Sequence, residues 1–244
     1  MYATLTIASL QLSTYYLLHV LATVVAGMLF FHLLYREGIE APVIRRLILI
    51  TACGGLVGGL GLGIFLRTTG SAALSVSAWG ALGGAAVAAV FFSLASGFSS
   101  LIFFDRGAPA AALWLGVGRI GCALAGCCYG RPASGFFAWN LSDINGFTCS
   151  RYPTQLFAMA ADFAIFTFLM ILSGHRHKNG YLTLLFISLY ALKRLILDFL
   201  RGDLQPAFGH LALTQTAAVV VLVCTMGFVL WRKQRKYHDR NRSS

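Results

Sequence analysis

Arg119 is the residue whose surroundings point most directly to chemistry. It follows an apolar run from Ala108 to Leu115, so its guanidinium lies toward one end of a membrane-length segment. Glycines at positions 116, 118, 121, 126 and 130 leave the backbone around it without side chains. A charge in such a place is costly unless a partner or water reaches it. The pattern indicates a bulky anion, such as a lipid phosphate, which binds a guanidinium through paired hydrogen bonds.

The glycines also admit a second explanation. Small residues are common where membrane helices pack closely, and an arginine near a helix end can extend toward the headgroups. The sequence that follows favours a binding site, because Tyr129-Gly130-Arg131-Pro132 places another arginine beside another glycine. Arg119, Gly121, Gly130 and Arg131 are therefore candidates for contact with an anionic substrate.

Three further charges share one helical face in a later apolar segment. Arg194 and Asp198 are four residues apart, and Arg201 follows Asp198 by three. An ion-pair ladder that joins two helices would explain them. The face nevertheless carries more positive than negative charge, which predicts an anion from outside the chain. Phospholipid phosphate is the nearest abundant one.

These motifs resemble those of the prolipoprotein diacylglyceryl transferases. Gly118-Arg119-Ile120-Gly121, followed by Gly126 and by Tyr129-Gly130-Arg131, is similar to the signature of that family. Its members are integral membrane enzymes that move the diacylglyceryl group of phosphatidylglycerol onto the cysteine thiol of a lipoprotein precursor. The resemblance implies the same substrates here.

Other matches follow in the same chain order. Tyr152-Pro153-Thr154-Gln155-Leu156-Phe157 is similar to the family's His-Pro-Ser/Thr-Gln-Leu-Tyr segment. Arg194, Asp198 and Arg201 resemble its Arg-x3-Glu-x2-Arg spacing. Gln215 stands where the family carries a glutamine near the start of its last helix. The resemblance implies that Gln155 and Gln215 contact substrate, and that Arg194 and Asp198 are catalytic together with Arg119.

The sequence departs from the family at three positions. Trp79-Gly80-Ala81 stands where the family has His-Gly-Gly. Cys122 replaces an asparagine, and Ala125-Gly126-Cys127 replaces Asn-Gly-Glu. An imidazole, an amide and a carboxylate are therefore missing, and thiols have taken two of their places.

Two rings in the first apolar segment are candidates for catalytic roles. Tyr15 matches a functional tyrosine of the family, and His19 follows it by one helical turn. His19 is the candidate replacement for the imidazole. An aromatic packing face, with its polar atoms satisfied by neighbouring helices, is the alternative.

The cysteines suggest thiol chemistry rather than a metal site. Cys127 and Cys128 are adjacent, and no histidine follows them at ligand spacing, so we predict neither a metal nor a cofactor. The nearby Arg119 favours the thiolate of Cys122, whereas burial opposes it. The alternatives are reactive thiols at Cys122, Cys127 or Cys128, or small packing residues. A disulfide from Cys149 to Cys127 or Cys128 is a further expectation.

The composition indicates a polytopic membrane protein. The chain has 244 residues, of which 58% are hydrophobic and only 11% charged, and its mean hydropathy is +0.75. A soluble domain would carry about twice that charge fraction. Seven segments are long enough to span a bilayer: 8–34, 45–66, 74–96, 108–127, 154–173, 180–200 and 209–231. We expect an all-α domain over 1–231, followed by a basic cytoplasmic tail over 232–244.

The distribution of lysine and arginine predicts the orientation. Alternate loops and the tail carry twelve basic residues on one side, against four on the other. The richer side is expected to be cytoplasmic. The amino terminus and the Gly130–Arg151 loop then face outward and the carboxyl terminus faces inward. The net charge of +11 reflects these cytoplasmic segments beside anionic lipid, so we predict no nucleic-acid partner.

The resemblance implies a transferase, and the composition and charge distribution place it in the bacterial plasma (inner) membrane, with its active face toward the periplasm. Its expected partners are phosphatidylglycerol or another anionic phospholipid, and a lipoprotein precursor. Two alternatives stay open. One is a lipid-modifying enzyme with another acceptor and cysteine chemistry, and the other is a non-catalytic relative that binds phospholipid.

Overall fold

The chain is predominantly helical. A computed structural model describes residues 4–7, 10–68, 78–143, 145–175, 177–204, 206–208 and 211–242. Within these residues it contains seven helices: α1 (Thr14–Arg36), α2 (Ala41–Thr68), α3 (Ala78–Ser96), α4 (Ser100–Ala125), α5 (Thr154–Ser173), α6 (Tyr181–Asp198) and α7 (Leu213–Arg242). Each of the seven predicted segments overlaps one helix.

Five of these helices are long and apolar enough to cross a membrane. They are α1, α2, α4, α5 and α7. The apolar part of α3, Gly80–Ser96, is shorter, and α6 carries Lys193, Arg194 and Asp198 near its end. The chain is therefore a polytopic membrane protein, as its composition predicts.

Short hairpins make up the strands that the structure describes. They pair β1 (Thr4–Ile7) with β2 (Leu10–Ser13), β3 (Trp139–Ser142) with β4 (Thr148–Arg151), and β5 (Pro206–Phe208) with β6 (Leu211–Ala212). The β3–β4 hairpin is antiparallel, with Trp139 opposite Arg151 and Ser142 opposite Thr148. It gives a fixed structure to the long loop between α4 and α5.

The first of two compact units contains Met1–Ala26, Ala108–His177 and Tyr181–Ser244. Here α5 packs on α6, and α6 packs on α7. Its buried apolar cluster contains residues of α4, α5 and α6: Ala108, Ala112, Ile165, Leu169 and Leu182. All the residues of the candidate site described below, apart from Trp79, belong to this unit.

The second unit contains Gly27–Gly107 and Lys178–Gly180. Its core includes Leu34, Ile44 and Leu47. Glycines bring α2 and α3 into backbone contact. A Cβ atom added to Gly54 would lie 2.7 Å from the Gly84 carbonyl oxygen. The glycine-rich face of α2 is therefore a close-packing surface, as its small residues predict.

The start of α4 differs from the sequence-based prediction. The fourth predicted segment begins at residue 108. The helix instead begins at Ser100 and runs through Pro109, which lies in its interior. The two charges that precede the predicted segment have partners within the second unit: Asp105 Oδ2 accepts the Gly180 N–H at 2.7 Å, and Arg106 pairs with Glu37.

Candidate active site

Arg119 lies near the end of α4 with its side chain 12% exposed. Its Nε is 3.9 Å from Oδ2 of Asp162 on α5. At this distance the two side chains form an ion pair, but the atoms are too far apart for a hydrogen bond. Within the described residues, no hydrogen bond engages the Arg119 guanidinium. Its N–H groups therefore remain available to a ligand.

Asp162 joins Arg119 to a second cation. Its side chain is only 1% exposed, and Oδ1 accepts a hydrogen bond from Lys193 Nζ of α6 at 2.5 Å. The same Nζ lies 4.4 Å from the centroid of the Tyr190 ring. Neither residue of this pair was among the predicted site residues, although a lone carboxylate inside an apolar segment is a signal for a buried partner.

The three charges predicted to share one helical face pair through Asp198, although Arg201 lies beyond the end of α6. Arg194 Nη2 lies 3.1 Å from Asp198 Oδ2, and Arg201 Nη1 lies 3.5 Å from Asp198 Oδ1. Asp198 also accepts a hydrogen bond from Thr214 Oγ1 at 2.7 Å. Arg201 makes a bidentate contact with Asp203, at 2.9 and 2.7 Å. Asp198 thus holds two guanidiniums in place.

These groups line one narrow cleft. Its walls come from α4, α5, α6 and the loops that follow α4 and α6: Arg119, Cys128, Thr154, Ala158, Lys193, Arg194, Leu197, Asp198 and Arg201. Four cationic side chains line it, and their paired carboxylates are Asp162, Asp198 and Asp203. The cluster therefore keeps a surplus of one positive charge after the newly identified Asp162 is counted.

Backbone pairing fixes the loop after α4 against the end of α6. Arg131 N–H donates to the Leu200 carbonyl at 2.8 Å, and Gly202 N–H donates to the Tyr129 carbonyl at 2.9 Å. A Cβ atom at Gly130 would collide with the Tyr152 carbonyl, so only glycine fits there. The exposed Arg131 donates from Nε to the Arg201 carbonyl at 3.1 Å and does not line the cleft.

The three thiols converge at the edge of this cleft. The sulfur atoms of Cys122, Cys127 and Cys128 lie within 4.8 Å of one another. Hydrogen bonds from the Cys122 and Cys127 thiols lower the pKa of the Cys128 thiol, and the Arg201 and Arg119 guanidiniums act in the same direction. All six cysteines are free, so the expected disulfide from Cys149 does not form in this structure.

Cys128 adopts a backbone conformation that favours glycine, with φ of 57°. A side chain there costs about 1–2 kcal/mol. Two residues at the start of α5 hold it: Thr154 Oγ1 donates to the Cys128 carbonyl at 2.8 Å, and Gln155 Nε2 donates to the Cys127 carbonyl at 3.0 Å. Gln155, a predicted substrate contact, therefore supports the Cys127-Cys128 backbone.

His19 and Tyr15 lie against another face of α4. His19 Nδ1 is 2.8 Å from the Tyr15 carbonyl oxygen, and the two rings are 4.2 Å apart. A Cβ atom at Gly118 would lie 3.2 Å from His19 Nε2, and one at Gly121 would lie 3.4 Å from His19 Nδ1. These glycines make room for the imidazole, and neither ring is among the side chains that line the cleft.

Gln215 also has a local role. Its Oε1 accepts the Ala212 N–H at 2.8 Å, so the buried amide caps the start of α7. The neighbouring Thr214 reaches Asp198 instead. Trp79, which stands in place of the family histidine, is the second residue of α3, and its side chain lies outside the described part of the structure.

A further buried arginine was not among the predicted site residues. Arg151 in β4 is 3% exposed, and its guanidinium lies 4.8 Å from the centroid of the Tyr129 ring. Its Nη2 donates to the Phe147 carbonyl at 3.2 Å and lies 3.6 Å from Asp143 Oδ2. Asp143 also accepts the Asn145 and Phe147 N–H groups, so Asp143 and Arg151 together order the turn between β3 and β4.

Comparison with known proteins agrees with the motifs. The family model described as prolipoprotein diacylglyceryl transferase matches residues 3–231, nearly the whole chain. The chain belongs to the prolipoprotein diacylglyceryl transferase family. Within that family, the changes at Cys122 and Cys127 fall in one place, the thiol cluster beside Arg119.

Individual members of the prolipoprotein diacylglyceryl transferase family are moderately similar. A Clostridium tetani protein is 32% identical over 148 residues, which cover 59% of this chain and 59% of that protein. A Dehalococcoides mccartyi protein is 28% identical over 192 residues, covering 77% of this chain and 68% of its own length. Both are named phosphatidylglycerol–prolipoprotein diacylglyceryl transferase. The chain spans about three fifths of the Clostridium tetani relative that it matches.

Proposed function

We propose that this protein transfers the diacylglyceryl group of phosphatidylglycerol to the cysteine thiol of a lipoprotein precursor. One observation carries the proposal: in a member of this family, Arg119, Lys193, Arg194 and Arg201 converge on one cleft with a surplus of positive charge. A buried cationic cluster of this kind is suited to an anionic headgroup.

The charge balance of the reaction explains the need for these cations. The acceptor sulfur attacks the glycerol carbon, a C–S bond forms, and the bond from that carbon to the phosphate oxygen breaks. Glycerol phosphate leaves with a second negative charge, until it accepts the proton that the thiol has lost. Fixed guanidiniums beside that phosphate stabilise the developing charge.

The roles of the side chains follow from their contacts. Arg119 binds the phosphate, since its guanidinium is buried and only loosely paired. Arg194 and Arg201 assist it, and Asp198 orients both. Tyr15 and His19 act indirectly, through their packing on the glycine face of α4.

The membrane arrangement is part of the proposal. All seven helices span the plasma membrane, with the amino terminus outside, the carboxyl terminus in the cytoplasm and the cleft toward the outer face. The bias of basic residues supports this orientation. The charges of α6 have partners within the protein, which reduces the cost of its crossing. Residues 1–231 form the transferase domain and 232–244 form a basic tail.

Reconstitution tests the activity. The purified chain in vesicles that contain phosphatidylglycerol should add one diacylglyceryl group to the cysteine of a precursor peptide, detected as a mass increase. Vesicles of phosphatidylcholine alone should give no product, and a peptide with serine in place of cysteine is the acceptor control. Failure to modify the peptide in phosphatidylglycerol vesicles would contradict the proposed transfer.

A second candidate function is phospholipid binding without transfer. Trp79, Cys122 and Cys127 favour it, because they stand where the family carries a histidine, an asparagine and a glutamate. The same vesicles distinguish the two candidates. A non-catalytic relative would bind phosphatidylglycerol, in a manner that depends on Arg119, and would leave the peptide mass unchanged.

A further inference from the structure

The cysteine cluster has the dimensions of a metal site. The three sulfur atoms of Cys122, Cys127 and Cys128 lie within 4.8 Å of one another. Sulfurs bound to one ion at about 2.3 Å stand about 4 Å apart in a trigonal arrangement. Side-chain rotations that move the sulfurs by less than about 1 Å would therefore place all three around one ion.

The backbone already brings the three thiols together. Cys122 lies in the last turn of α4, and the chain then reverses through Gly126, whose φ is 69°, so that Cys127 N–H donates to the Cys122 carbonyl at 3.2 Å. Cys128 follows directly, and its backbone has the unfavourable φ of 57°. Its sulfur lies close to those of Cys122 and Cys127. Thr154 and Gln155 hold both carbonyls of this dipeptide. A binding site would thus need little rearrangement.

We propose that Cys122, Cys127 and Cys128 form a three-thiolate site for Cu(I). Thiolate sulfur is a soft ligand that selects Cu(I), Zn(II) and iron–sulfur clusters. Among the described residues, no histidine, aspartate or glutamate joins the three thiols in this group. Zn(II) prefers four ligands, whereas an all-sulfur set of three suits Cu(I). Binding sends the remaining thiol protons to solvent, and three thiolates around one Cu(I) ion form a complex with two negative charges.

The negative charge of the copper–thiolate complex would affect anion binding in the cleft. Cys128 lines the cleft together with Arg119 and Arg201. The two guanidiniums would stabilise the negatively charged copper complex. That complex would in turn repel a phospholipid phosphate from the same guanidiniums. Cu(I) should therefore weaken phospholipid binding. This consequence rests on the proposed function, whereas metal binding itself does not.

A competition titration tests the metal site. The purified full-length chain, reduced and in detergent, is titrated with Cu(I) in the presence of the chromophoric chelator bicinchoninate. It should take one Cu(I) ion per chain from the chelator. A Cys127→Ser, Cys128→Ser double variant should bind at least about 100-fold more weakly, because even the loss of groups that support a ligand costs 10- to 100-fold. A matched Cys53→Ser, Cys224→Ser double variant, changed at two exposed positions, should bind like the wild type.

Alkylation of the wild-type chain, with and without Cu(I), tests the metal site even if a variant fails to fold. Cu(I) should protect Cys127 and Cys128 from alkylation, measured by mass spectrometry. Cys149, half-buried and outside the cluster, should react equally with and without the ion. Absence of protection, absence of competition with the chelator, or tight binding by the Cys127→Ser, Cys128→Ser variant would each overturn the proposal.

Discussion

The guanidinium of Arg119 is buried and only weakly paired within the protein. We therefore expect its planar shape to matter as much for phosphate binding as its charge. Lysine at this position would keep the charge but lose the planar fork that binds two phosphate oxygens. Arg119→Lys should therefore lower the rate of diacylglyceryl transfer by about 100-fold or more, since a lost donor to developing charge costs that much. The measurement is product formation in vesicles of phosphatidylglycerol.

The matched control for this variant is Arg36→Lys, which changes an exposed arginine at the end of α1. It should leave the rate unchanged. Normal transfer by a well-folded Arg119→Lys variant would remove the guanidinium from the phosphate site.

The Asp162–Lys193 pair carries a different kind of residue-level prediction. Asp162→Asn would leave the buried Lys193 ammonium without its carboxylate, and breaking a buried pair costs about 3–5 kcal/mol. Thermal unfolding in detergent, followed by circular dichroism, should show a markedly lower Tm.

A charge-free replacement separates this pairing effect from simple loss of packing. The Asp162→Leu, Lys193→Met double variant removes both charges and should recover much of the lost Tm, because apolar residues can replace a buried pair at little cost. If the double variant is less stable than Asp162→Asn, the pairing argument is incorrect.

At the scale of the helices, α2 and α3 depend on glycine for their contact. A Cβ atom at Gly58 would lie 2.9 Å from the Gly84 Cα and would collide with the Gly80 carbonyl. Gly58→Ala should therefore lower the Tm, although alanine favours a helix by about 1 kcal/mol over glycine. Thermal unfolding in detergent measures the effect.

Gly61 provides the control on the same helix. A Cβ atom there would meet nothing within 4 Å. Gly61→Ala should gain the helix propensity without a steric cost, so its Tm should equal or exceed that of the wild type. Equal destabilisation by the two alanines would contradict the close packing.

Sequence patterns predicted the existence of the helices better than their ends. Apolar length alone located all seven helices, and five of them are long and apolar enough to cross a membrane. The predicted start of α4 was wrong: the helix begins at Ser100 rather than at residue 108. Asp105 and Arg106 interrupt the apolar run, and their partners lie far away in the sequence. Helical spacing likewise predicted the contact between Arg194 and Asp198, because neighbours on one helix follow from periodicity. Arg201 also pairs with Asp198, but it lies beyond the end of α6.

Periodicity does not tell which faces of different helices meet. Three features could be recognised only from the structure: the contact between Asp162 and Lys193, the cluster of three thiols, and the cap that Gln215 makes. The sequence supplied the residue types of the candidate site, and the packing of α4, α5 and α6 decided which of them face one another.

For the whole molecule, the orientation in the membrane is the main prediction. It rests on twelve basic residues on one side against four on the other. A thiol introduced by Asn140→Cys, in β3, should react with an impermeant maleimide in intact cells. One introduced by His238→Cys, in α7, should react only after permeabilisation.

The labelling requires a background in which native thiols are replaced by serine, and untreated background chain is the control for residual reaction. The reverse labelling pattern would invert the chain and put the cleft at the cytoplasmic face.

The pairing of Asp162 with Lys193 also has a consequence for biosynthesis. The two residues are 31 positions apart, in successive helices. During translation α5 leaves the ribosome first, so its carboxylate reaches the membrane before the lysine has been made. An unpaired carboxylate in lipid is costly. We therefore expect the helical hairpin of α5 and α6 to insert more favourably than α5 alone.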